Sequence, residues 1–127
     1  MSIESFGKWL EITFNEKVNH AYTSESDVRR AYRVPAGKSA CDCVLHVSGC
    51  ELVLVEEKTK AGIRKALRQL RSFARYLRSL DYKIRRYVIL IERMSNVESK
   101  RYKGRGRERF LVEIRGGRVK PVEILNR

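Results

Sequence analysis

Apolar residues recur at helical spacing from the start of the chain. Ile3, Phe6, Leu10, Phe14 and Val18 fall on one stripe with Trp9 beside it, which predicts an amphipathic helix over 2–21 capped by Ser2. The pattern then breaks over 22–39. Thr23-Ser24-Glu25-Ser26-Asp27 has the composition of a short helix start and Arg30-Ala31-Tyr32-Arg33-Val34 that of a strand, until Pro35-Ala36-Gly37-Lys38 ends either one. Cys41 to Val47 and Glu51 to Glu57 are two β-rich runs around Ser48-Gly49-Cys50, a hairpin signal in which Gly49 can supply the positive φ of a tight turn.

Over 61–80 the period returns to that of a helix. Leu67, Leu70, Ala74 and Leu77 form an apolar face, widened by Ile63, Ala66, Phe73 and Leu80, while Arg64, Arg68, Arg71, Arg75 and Arg78 line the opposite side. Tyr87 to Glu92 reads as a buried strand, and 94–109 as a polar, basic stretch whose Lys103-Gly104-Arg105-Gly106-Arg107 forms a loop. Phe110 to Arg115 and Arg118 to Leu125 flank Gly116-Gly117 as a second hairpin, with Pro121 confining the last strand to a sheet edge. The order predicts a single α/β domain over 1–127, a mixed β-sheet flanked by helices. No Gly-rich phosphate loop follows a first strand, so a nucleotide-binding motif is absent.

Charge adds a partner. Lys and Arg number 28 against 15 Asp and Glu, a net charge of +13. Residues 1–60 hold 8 basic and 9 acidic residues, and 61–127 hold 20 and 6, so the second part carries the whole excess. Five Arg along one helix face with no acids interleaved repel one another, an arrangement suited to phosphate contact. Arg64, Arg68, Arg71, Arg75 and Arg78, with Lys103, Arg105 and Arg107, are therefore the expected contacts to a DNA backbone. The longest apolar run, Val88-Ile89-Leu90-Ile91, is too short for a membrane span, and the N-terminus lacks a signal pattern. Three Cys, two of them separated by one residue, make no disulfide scaffold, so a cytoplasmic setting without membrane contact is expected. One Gln and abundant Arg fit a thermophile.

The candidate chemistry lies on the first hairpin. Alternation puts Glu56 and Lys58 on one face and Glu57 on the other. A three-residue loop pairs Val47 with Glu51 and sets Asp42 opposite Glu56, with Cβ atoms about 5 Å apart; a two-residue loop would exchange Glu56 for Glu57. Two adjacent carboxylates repel unless a divalent cation joins them, and oxygen ligands suit Mg²⁺ or Mn²⁺. Lys58 could then orient or deprotonate a water, or stabilise charge at phosphorus. His46 is expected to be exposed near the turn, His20 to end the first helix, and Cys41 and Cys43 to be core residues on the face away from Asp42.

Asp42 followed by Glu56-Glu57-Lys58 resembles the D…ExK signature of the PD-(D/E)XK nuclease superfamily. That resemblance implies a restriction-endonuclease-like core and a Mg²⁺-dependent deoxyribonuclease. Gly7-Lys8-Trp9-Leu10-Glu11 is similar to the first-helix pattern of many members, which makes Glu11 a third metal-site candidate. Gln69, followed by Phe73 or Tyr76, is similar to the accessory pair of RecB-like members. In size and charge the chain resembles archaeal Holliday-junction resolvases. A nuclease that cuts two strands often uses two sites, so a homodimer is one expected assembly by analogy, and a subunit of a larger complex is the other. The alternative expectations are an inactive nucleic-acid-binding module of the same fold and a basic adaptor subunit.

Overall fold

A computed structural model describes Glu11 and residues 17–48, 50–60, 62–93, 109–115 and 118–124. The elements are β1 (His20–Tyr22), α1 (Glu25–Ala31), β2 (Cys43–Ser48), β3 (Glu51–Lys60), α2 (Ile63–Ser79), β4 (Lys83–Arg93), β5 (Arg109–Arg115) and β6 (Arg118–Ile124). They build an α/β fold whose mixed sheet has the order β1-β2-β3-β4-β5-β6. β1–β2, β2–β3 and β5–β6 pair antiparallel, while β3–β4 and β4–β5 pair parallel. A parallel neighbour needs a crossover, and α2 supplies it between β3 and β4.

The expected first helix runs too far. His20–Tyr22 is a strand, paired residue for residue with His46, Leu45 and Val44, so His20 opens a sheet edge and does not close a helix. Apart from Glu11 and 17–21, the segment predicted as that helix lies outside the described residues. In the ambiguous stretch the helix wins. Ser24 caps α1 through its Oγ, which accepts from Asp27 N at 3.2 Å, and Glu25 and Asp27 lie in the first turn, where the helix dipole favours acids. No strand forms at 30–34: Tyr32 caps the helix and Arg33 takes a positive φ of 51°.

The core lies between α2 and one face of the sheet. Ala66, Leu67, Leu70, Phe73, Ala74 and Leu77 pack against Val44, Leu52, Leu54, Tyr87 and Ile89, with Val28 and Tyr32 closing the side. This is the apolar face expected from the sequence, except that Leu80 caps the helix and is 43% exposed; the burial of Ile63 lies outside what is described. Cys43, Leu45, Val53, Val55, Val88 and Leu90 are buried as well, outside that cluster, and alternation places them on the sheet's other face. Pro121 lies on the edge strand β6, where its missing N–H costs no ladder bond.

Candidate active site

The hairpin register decides which acids meet. Cys43 pairs with Val55, Val44 with Leu54, Leu45 with Val53 and His46 with Leu52, a frame that continues to Asp42 opposite Glu56. The turn reaches this frame differently from the expectation. Ser48, not Val47, pairs with Glu51, and a bulge between His46 and Ser48 restores the alignment. Without the bulge, the two-residue turn would have set Glu57 across from Asp42.

Backbone amides clamp the two acids together. Asp42 N donates to Glu56 Oε1 at 3.1 Å, and Glu57 N donates to Asp42 Oδ2 at 2.8 Å. Each carboxylate thus has one oxygen held by a backbone amide of the other's strand. Glu56 is 3% exposed and is the one buried charged residue among those described. Burial raises its pKa to about 8, helped by a hydrogen-bonding contact with the Asp42 side chain and by the Asp42 charge. The Asp42 amide and the Lys58 ammonium act in the opposite direction. Lys58 follows Glu56 on the same strand face and is half-buried, while Glu57 is exposed on the other side.

This donor set fits a hard divalent cation. A buried carboxylate that resists ionisation beside a second carboxylate lacks positive charge, which Mg²⁺ or Mn²⁺ would bring. Mg²⁺ is commonly held by one or two protein carboxylates, with waters and substrate phosphates completing the octahedron. No group of three or more His, Cys, Asp or Glu able to hold a metal occurs among the described residues. Glu11, the third candidate, has its Oε1 accepting from Val18 N at 2.8 Å, which ties it to the chain entering β1.

Gln69 belongs to the support of the site. Its Nε2 donates to Ala40 O at 2.9 Å, fixing α2 to the backbone two residues before Asp42. Ala40 is fully buried, so replacing Gln69 by Leu orphans a buried carbonyl. The expected cost is about 1–3 kcal/mol in urea denaturation; a change too small to measure would show that Ala40 O finds another donor. Tyr76 is directed elsewhere: its hydroxyl donates to Tyr32 O at 2.7 Å and Arg33 O at 2.8 Å.

Cys41 and Cys43 are core residues, as expected, but they divide between the faces, and Cys50 is exposed. The bend at Asp42 puts Cys41 in the α2-side cluster, where its Sγ donates to Cys43 O at 3.1 Å, and Cys43 lies on the other face. Burial pushes both thiols up, Cys43 to about 12, so both are protonated at neutral pH. His46 is half-buried and not exposed as expected. Its Nε2 is hydrogen-bonded to Tyr32 Oη, and the two rings stack 6.1 Å apart. The sequence held the signal: His46 alternates with Val44 on the apolar face.

Arg64, Arg68, Arg71, Arg75 and Arg78 are all exposed along α2, and Arg78 Nη2 donates to Tyr87 Oη at 3.2 Å. Lys103, Arg105 and Arg107 lie outside the described residues. No helix among those described is long and apolar enough to cross a membrane. The chain matches no known family model, no curated protein and no solved structure.

Proposed function

We propose that the protein is a metal-dependent DNA nuclease of restriction-endonuclease-like architecture, hydrolysing phosphodiester bonds at Asp42, Glu56 and Lys58. The observation that carries this reading is the clamped pair of Asp42 and buried Glu56, with Lys58 beside it. A buried carboxylate held beside a second one costs stability, and acids perturbed in this way cluster at functional sites. Asp42 and Glu56 would hold Mg²⁺ or Mn²⁺, which when bound polarises a phosphate oxygen and acidifies a water. Lys58 would orient the attacking water and stabilise charge gathering on the phosphoryl oxygens. The exposed Arg row of α2 would hold the strand by its phosphates without reading bases. Hydrolysis then cleaves one P–O ester bond as the water oxygen bonds to phosphorus, and the leaving oxygen takes up a proton.

The test is cleavage of linear, single-stranded, flapped and four-way DNA with Mg²⁺, with Mn²⁺ and with EDTA. Metal-dependent cutting of one of these supports the reading. Salt-sensitive DNA binding that EDTA leaves unchanged, with no cutting of any substrate, identifies a binding module instead.

A further inference from the structure

A second cluster of phosphate-seeking groups lies along α2, away from the acid pair. A pocket of about 410 Å³ opens between residues 37–39 and one side of the helix, lined by Lys38, Ser39, Ser72, Arg75, Tyr76 and Ser79 together with Gly37. Its chemistry is one-sided: two cations, four hydroxyls and no acid. One of the cations is placed. The hydroxyl of Tyr76 is fixed by the carbonyls of Tyr32 and Arg33, and Lys38 Nζ sits 5.6 Å from that ring's centroid, a cation–π contact that restrains a side chain otherwise free in solvent. Neither Lys38 nor Arg75 forms an ion pair among the described residues. Ser79 spends its proton on Tyr76 O, which leaves Ser39 and Ser72 as hydroxyl donors. Gly37 turns the loop with φ +86°, a conformation that favours Gly, and this turn brings Lys38 and Ser39 to the helix.

We propose that this pocket binds a phosphate of the nucleic-acid strand, a few nucleotides from the scissile one. The proposal rests on the reading of DNA as substrate and adds a subsite to it. The loop that supplies Lys38 and Ser39 runs directly into Ala40 and Asp42, and Gln69 pins it to α2 one turn before Ser72. A helix rises about 1.5 Å per residue, so Gln69 to Tyr76 spans about 10 Å. Each strand of a duplex presents one phosphate about every 3.4 Å of helix axis, so a strand lying along α2 covers that span in a few nucleotides. An internal phosphodiester and a terminal 5′-phosphate share this oxyanion chemistry, and the pocket is assigned to the internal diester.

Fluorescence anisotropy with a labelled 20-nucleotide DNA in EDTA tests the pocket without any need for turnover. Lys38→Ala and Arg75→Ala are each expected to weaken binding about 3–10-fold and to lower the salt slope by about one phosphate contact. Lys83→Ala, which removes one exposed charge outside the pocket, serves as the control. All three substituted side chains are exposed, and thermal denaturation checks that the variants fold. Equal losses at Lys38, Arg75 and Lys83 overturn the proposal, since net charge alone would then account for them. A 5′-phosphorylated strand that binds the wild type much better than its 5′-hydroxyl form, with the advantage lost in Lys38→Ala, overturns the assignment to an internal diester. Pocket-dependent binding without cleavage under any metal would defeat the nuclease reading alone; cleavage with pocket variants binding like Lys83→Ala would defeat the pocket alone.

Discussion

Replacing Lys58 by Ala is expected to lower single-turnover, Mg²⁺-dependent DNA cleavage at pH 7.5 by about 10²–10⁴-fold. Two effects of one side chain combine. Lys58 follows Glu56 on the same face of β3, and its charge is one of the influences that favour ionised Glu56. Without it the Glu56 carboxyl goes still higher, and at neutral pH more of the protein carries a protonated ligand that cannot hold a cation. The second loss is the ammonium itself, placed to orient water and to meet charge at phosphorus. The two separate experimentally. Raising the pH to 9 and the metal concentration tenfold should recover the part due to Glu56 and leave the part due to chemistry. Lys58→Arg keeps the charge but not the compact, deprotonatable ammonium, and should recover binding of metal more than rate. A Lys58→Ala protein that cuts at the wild-type rate removes Lys58 from the mechanism.

The parts of this arrangement that follow a local period are the parts the sequence displays. The apolar face of α2 repeats often enough for its direction to be unmistakable, and the structure buries Leu67, Leu70, Ala74 and Leu77 against the sheet. The match of Asp42 with Glu56 also rests on parity, and it survives although the turn differs: the bulge at Val47 cancels the shorter turn. No local rule distinguishes those two routes, because both end with the hydrophobic alternation of β2 facing that of β3. β1 is the opposite case. Three residues carry no period, and His20, Ala21 and Tyr22 become a strand only because β2 offers an open edge some two dozen residues later. Lys38 and Ser39 likewise have no pattern of their own. They gain a role from Gly37's turn and from Ser72, Arg75 and Tyr76, whose helical spacing is legible but whose partner loop is not.

Without metal, the stability of the protein is expected to fall as the pH rises from about 4.5 to about 8, and Glu56→Gln is expected to remove that component. The sign follows from proton counts. Glu56 has an ordinary value near 4.5 when unfolded and about 8 when folded. Between those values the native state holds a proton that the unfolded chain has released, so each rise in pH favours unfolding. Below pH 4.5 both states are protonated and Glu56 contributes nothing. Above pH 8 the native state carries the full penalty of a buried carboxylate beside Asp42, on the order of a few kcal/mol. Other groups tilt the total curve. Burial lowers the pKa of His46, which favours folding as the pH rises through its ordinary range near 6.5. The readout is therefore the difference between wild type and Glu56→Gln in urea denaturation at a series of pH values. That difference should be flat below pH 4.5, grow in favour of the variant up to about pH 8, and level off. Mg²⁺ or Mn²⁺ should reverse it for the wild type alone, because a cation shared by Asp42 and Glu56 stabilises the ionised form and binds only the folded pair. Metal binding should then release a proton at pH 7, measurable as a dependence of the binding heat on buffer ionisation enthalpy. A difference curve that stays level across pH 4.5–8 would mean that Glu56 is ionised in the native state at neutral pH, and the proton release would vanish with it.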